Sequence, residues 1–175
     1  VWGEDHQADV PRVHAAARAL GVNDDAVKIL IYRFITLMSG GQEVRMGKRK
    51  GNAIWIDDVL DETGPDALRY IMLSRSIDTK IVFDLDLLKE QNDKNPVFYV
   101  QYAHARICSI LTQWGGQVSD LKGADLSLLQ SKASDHLLRR LAEYPEMLTD
   151  AAADLAPHAL AFYLRDLAGD FHTFY

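Results

Sequence analysis

The chain has 175 residues, 48% hydrophobic and 25% charged, with a net charge of −6. That length suffices for one ordinary domain or two small ones with a real core, and the acidic balance excludes wholesale coating of nucleic acid while leaving local phosphate contacts open. No apolar run reaches the roughly 18 residues of a membrane span, and the single cysteine, Cys108, excludes an internal disulfide and fits a reducing compartment.

Residues 9–20 read as a helix, with Val10, Val13, Ala17 and Leu20 at helical spacing and Gly21 as its stop. A second helix is predicted over 24–38, although Ile29, Ile31, Ile35 and Thr36 leave a strand open there. Ser39-Gly40-Gly41 is a turn, followed by a short Gln42–Val44 segment and a basic run, Arg45-Met46-Gly47-Lys48-Arg49-Lys50-Gly51-Asn52. Residues 53–56 are extended. A helix opens at Asp57 and stops at Gly64-Pro65, and Pro65 starts the next, over 65–74. Residues 81–84 are extended, with a short helix near 86–91. The polar turn Asn92–Pro96 is the best domain boundary. Beyond it helices are predicted over 96–114, 133–144, 146–155 and 157–175, with Pro145 and Pro157 punctuating the last three. Neither end carries a start or stop signal, so the chain reads as a fragment of a longer protein.

The basic run concentrates four of the 19 Lys and Arg residues within six positions, interleaved with glycine. Fixed positive charge on a backbone that can approach closely suits a polyphosphate, whereas the plain alternative is a solvated turn. It is not a Walker loop: five residues separate Gly41 from Gly47, and Arg49 stands where a magnesium-binding hydroxyl is needed. Asp5, His6 and His14 lack a compact metal-ligand spacing, no serine has a nucleophile-elbow context, and no metal site is assigned. Cys108 is expected to be a small buried side chain in an apolar helix.

Three segments in order resemble the class I aminoacyl-tRNA synthetases. Met46-Gly47-Lys48-Arg49 is similar to the Lys-Met-Ser-Lys signature, Gly3-Glu4-Asp5-His6 to the Gly-x-Asp-His/Gln element upstream of it, and Gly64–Tyr70 to the helix downstream. Asn95–Ile107 resembles the opening helix of the anticodon-binding domain of arginyl-tRNA synthetases, and Leu164–Tyr175 a later helix of that domain. The resemblance spans essentially the whole chain.

It implies the α/β tail of a Rossmann-type class I catalytic domain over 1–92, with the signature loop at 45–52. An all-α anticodon-binding bundle, truncated at its C-terminus, would follow over 93–175. It implies ATP with Mg2+ as substrate and no tightly bound cofactor, arginine and tRNA(Arg) as partners, no membrane, a monomer, and the cytoplasm. Carried over by position, Lys48 is the catalytic charge on the pyrophosphate side. Gly3, Asp5, His6, Arg45, Met46, Gly47 and Lys48 form the ATP-binding set. Gly47 departs from the pattern by replacing a serine. In the helical part Tyr99, Gln101, Tyr102, His104 and Arg106 supply the aromatic and hydrogen-bonding groups that suit splayed anticodon bases. Val100, Ala103, Ile107, Ile110 and Leu111 make the competing core face, and Asp66 and Arg69 read as structural. The fragment alone is expected to be inactive. The readings set against it are a non-catalytic tRNA-binding module derived from a class I synthetase, and a helical interaction domain without RNA.

Overall fold

The computed structural model describes residues 1–44 and 54–175, so the basic run lies outside the described residues. The chain forms two compact units, residues 1–62 with 75–86 and residues 63–74 with 87–175.

The first unit mixes strands and helices. β1 (Trp2–Gly3) pairs in parallel with β2 (Ile31–Tyr32), and a 3₁₀ turn over Glu4–Asp9 leads into α1 (Val10–Ala19). Pro11 sits in the first turn of α1, where its missing N–H costs nothing. β3 (Ile35–Ser39) is the centre of a three-stranded sheet, with β4 (Gln42–Glu43) antiparallel on one side and β5 (Ile81–Asp84) parallel on the other. The predicted helix over 24–38 is therefore wrong: only Asp24–Ala26 forms a helical turn, and the rest is extended or strand. The β-branched residues there pair edge-on with a segment 46 positions away, Ile35 with Ile81 and Leu37 with Phe83. That pairing buries Leu37 and Phe83, which decides the local ambiguity in favour of strand. Gly40 and Gly41, with φ of 60° and 72°, make the two-residue hairpin turn, a conformation a side chain resists at both positions. The Asp86 carboxylate accepts from the Gly40 N–H at 2.6 Å and pins the turn. Residues 54–55 take no strand pairing, and α2 runs over Ile56–Thr63 with Val59 buried.

The second unit is helical: α3 (Pro65–Leu73), the end of α4 (Leu85–Lys89), α5 (Pro96–Trp114), α6 (Lys132–Ala153) and α7 (His158–Phe174). Asn95, in the polar turn, is 4% exposed. Its amide donates to the carbonyls of Leu88 and Glu90 at 2.9 Å, and its oxygen accepts from the Val97 and Phe98 N–H groups. One side chain thus closes α4 and caps α5. Gly115, in the left-handed region, ends α5.

α6 is continuous from 132 to 153, so Pro145 does not separate two helices. The carbonyl that Pro145 cannot serve belongs to Leu141, a half-exposed residue. α6 and α7 run antiparallel. Arg140 reaches Asp170 at 3.0 Å and Asp166 at 3.9 Å, while the Tyr163 hydroxyl donates to the Arg140 carbonyl at 2.9 Å. α5 and α7 run side by side in the same sense, with contacts advancing from Tyr99 beside Gly169 to Arg106 over Tyr175. Their shared core is Ala103, Ala168 and Phe171, with Tyr99, Val100 and Leu137 against it.

Candidate functional site

In the first unit the Gly-x-Asp-His element ends β1 and opens the 3₁₀ turn. Gly3 is buried, and a Cβ on it would stand 2.6 Å from the Asp5 Oδ1 and 3.7 Å from both the Phe34 ring and the Tyr32 hydroxyl. The Asp5 carboxylate folds back over the Gly3 Cα, and a side chain there would have to push that exposed carboxylate aside. Asp5 does not cap the helix that follows, as the turn has no side-chain cap. Its exposed carboxylate is thus open to an incoming hydroxyl. His6 is committed locally: Nδ1 lies 3.3 Å from Asp9, Nε2 lies 3.8 Å from Asp5, and the ring leans on Trp2 at 5.9 Å. The His6 hydrogen bond, followed by that of Arg12, holds the Asp9 carboxyl below the usual aspartate range. Arg45, Met46, Gly47 and Lys48 lie outside the described residues.

In the second unit the five predicted RNA-facing residues separate into different jobs. Tyr102 is 42% exposed and stacks on Phe98 at 6.0 Å and on His172 at 5.5 Å. Arg106 donates to the Tyr102 hydroxyl and lies over two rings, 5.2 Å from the Tyr102 centroid and 4.4 Å from that of Tyr175. The pair makes a cationic, aromatic platform. Tyr99 is half-buried, tilted on His172 at 4.8 Å and packed on the core, so its ring is chiefly structural. Gln101 is exposed but spends its amide on Asp66 at 2.9 Å, tying α5 to the first turn of α3. Asp66 makes this bond rather than one to Arg69. His104 is exposed, its ring 3.7 Å from the Cys108 sulfur.

Two expectations are corrected here. Cys108 is exposed, not buried. Ile107, Ile110 and Leu111 are 39%, 37% and 44% exposed, so only Val100 and Ala103 of the predicted core face pack inward. Sequence reading also missed His172 and Tyr175, which complete the platform. The alternation of aromatics over 171–175 was the available signal, but nothing local says that they meet residue 102 or 106.

A 290 Å³ cavity lies beside the platform helix, lined by Gly64, Asp66, Leu88, Asn95, Phe98 and Gln101 among others. Its polar groups are paired with each other, as Asp66 with Gln101 and Asn95 with its two carbonyls. Among the described residues no group of three His, Cys, Asp or Glu could hold a metal, and no helix is long and apolar enough to cross a membrane.

Over its whole length the chain is 52% identical to an arginine–tRNA ligase of Polynucleobacter necessarius and 45% identical to one of Azoarcus sp., spanning 35% and 30% of those proteins. Residues 100–175 match the family model described as the DALR anticodon binding domain. The chain belongs to the arginyl-tRNA synthetase family. It spans about a third of the length of the relatives it matches, in their C-terminal part. The fold agrees. The crystal structure described as an arginyl-tRNA synthetase from Campylobacter jejuni superposes with a TM-score of 0.90 at 37% identity, over 99% of this chain and 38% of that one. The Thermus thermophilus arginyl-tRNA synthetase, at 24% identity and a TM-score of 0.75, shares the fold over 99% of this chain and 32% of that one. Tyr102, Arg106, His172 and Tyr175 all fall within the DALR match of this arginyl-tRNA synthetase-family chain.

Proposed function

We propose that the full-length protein carrying this sequence activates arginine with ATP and transfers it to tRNA(Arg). In this reading the first unit closes a Rossmann-type class I catalytic domain and the second receives the anticodon. The observation that carries it is the match of both units, end to end, to arginine–tRNA ligases. The platform of Tyr102, Arg106 and Tyr175 supports the RNA side.

In the first step the arginine carboxylate attacks the α-phosphorus of ATP, forming arginyl-adenylate and releasing pyrophosphate. The ribose hydroxyl at the tRNA terminus then attacks the acyl carbon and releases AMP. Negative charge grows on the leaving phosphates of the first step, and the Lys48 ammonium is the group assigned to meet it. Arg45 adds a second positive charge, Met46 an apolar anchor near the adenine, and Gly47 a backbone N–H in place of the lost serine hydroxyl. Gly3 and Asp5 present a close backbone and a carboxylate to the adenosine ribose, with His6 behind them. Mg2+ enters with the nucleotide. Arginine selection belongs to sequence outside this chain, so residues 1–175 alone are expected to show no ATP–pyrophosphate exchange. A soluble, cytoplasmic monomer is the corresponding physical form.

The test is arginine-dependent charging of tRNA(Arg) by the full-length protein, with Lys48→Ala beside it. Lys48→Ala is expected to slow adenylate formation by about 100-fold with little change in ATP affinity, because it acts on charge that develops in the transition state. An unchanged activation rate would remove Lys48 from the role. tRNA binding without any activation by the full-length protein would instead favour a non-catalytic tRNA-binding module.

A further inference from the structure

Glu4 occupies the variable position of the Gly-x-Asp-His element, between Gly3 and Asp5. Both of its carboxylate oxygens are engaged 29 and 30 residues away: Oε2 accepts from the Arg33 guanidinium at 2.8 Å and Oε1 from the Phe34 N–H at 3.0 Å. The Arg33 N–H in turn donates to the Ile77 carbonyl at 3.1 Å. One side chain therefore ties the end of β1 to the segment joining β2 and β3, and through Arg33 to the approach to β5. The neighbouring hydrogen bonds, that of Arg33 first and the Phe34 amide second, hold the Glu4 carboxyl below the usual glutamate range.

The tie fixes more than a strand end. Phe34, whose N–H it holds, places a ring edge 3.7 Å from the Cβ position of Gly3, and the Tyr32 hydroxyl lies at the same distance. Both aromatics are exposed, at 51% and 40%. Among the described residues Asp5, the next residue after Glu4, is paired with His6 alone, at 3.8 Å, so the direction of its carboxylate depends on the backbone that Glu4 anchors.

We propose that Glu4 and Arg33 are positioning residues for the nucleotide: a latch that sets the Gly3–Asp5 backbone and the Phe34 edge in the orientation that receives the adenosine. This deepens the reading of Gly3 and Asp5 as the adenosine-facing element and rests on it. Neither latch residue touches the reacting atoms. Its loss weakens substrate and transition state alike, which raises KM for ATP and leaves kcat in place.

The experiment uses ATP–pyrophosphate exchange by the full-length protein, with tRNA(Arg) present, on Glu4→Gln, Arg33→Met, Arg33→Lys, the Glu4→Gln/Arg33→Met pair, and Asp5→Asn. Glu4→Gln and Arg33→Met are each expected to raise KM for ATP roughly threefold, the scale of an exposed but hydrogen-bonded ion pair, with kcat and KM for arginine unchanged. The double variant should be no worse than the poorer single, because both break one interaction. Arg33→Lys should recover part of the loss. An unchanged KM for ATP in both singles overturns the latch when Asp5→Asn does raise it. A parallel rise in KM for ATP and arginine with a lower melting temperature also overturns it, since that is general loosening. If Asp5→Asn itself leaves KM for ATP unchanged, the adenosine reading fails and the latch with it.

Discussion

A guanidinium between two aromatic rings is a different object from a lysine on a surface. Arg106 is held by the Tyr102 hydroxyl and by the faces of Tyr102 and Tyr175, so its plane is fixed before any ligand arrives. A fixed plane points its remaining N–H groups outward toward a base edge, and little rotamer entropy is lost on binding. Arg106→Lys keeps the charge and loses the plane. It is expected to raise KM for tRNA(Arg) about tenfold in aminoacylation while leaving ATP–pyrophosphate kinetics at saturating tRNA(Arg) alone, on the scale of one charge-assisted hydrogen bond. An effect of the same size on a step without RNA contact would contradict the platform. The Glu4–Arg33 pair has a pH signature of a different kind. The Glu4 carboxyl is depressed in the fold, so its contribution is fully present above the ordinary glutamate range and fades only as acid protonates it below that range. At neutral pH the latch is charged and closed.

Element boundaries were legible where local chemistry acts alone and obscure where partners decide. Asn95-Pro96 and Gly115 mark the ends of α5 without ambiguity, because a cap, a helix-compatible proline and a left-handed stop are local devices. The Gly40-Gly41 hairpin is equally self-declaring. Residues 24–38 read as helix because their apolar spacing fits one, but the parallel partner of Ile35–Met38 lies at 81–84, beyond any local window. Pro145 misled in the opposite direction. A proline normally breaks a helix, yet α6 passes through it, at the cost of one backbone hydrogen bond to Leu141. Pro145→Ala supplies the missing donor and is expected to stabilise the chain by about 1–3 kcal/mol in urea unfolding. No gain, or a loss, would show that the helix has already relaxed around the ring. The end of α6 carries a related surprise. Leu155 sits at φ 53° where glycine is usual, with the Ala156 N–H closing back on the Ala151 carbonyl at 2.8 Å. A leucine in that conformation gives no sequence signal of a stop.

At the scale of the molecule, the synthetase class was readable from three short segments in order, and the arginyl family from Asn95–Ile107 and Leu164–Tyr175. The candidate site was readable only in part. Tyr102 and Arg106 stand out as an aromatic and a cation one turn apart, but their partners His172 and Tyr175 come from a helix some 70 residues on, and Gln101 looked available until Asp66 took its amide. Charge gave little guidance, since the platform relies on one guanidinium and several rings inside an acidic chain.

The far half of α5 is exposed, and that half ends in Trp114, 44% exposed. Of the three tryptophans, Trp2 and Trp55 belong to the first unit and Trp114 alone to the second. The second unit therefore carries its own optical reporter at the tip of the helix that bears the platform. With Trp2 and Trp55 replaced by phenylalanine, emission from the 175-residue chain should be red-shifted and readily quenched by acrylamide. In the full-length protein with every tryptophan other than Trp114 replaced, a blue shift would register, as a change in colour, that something has come to rest on Ile107, Ile110 and Leu111.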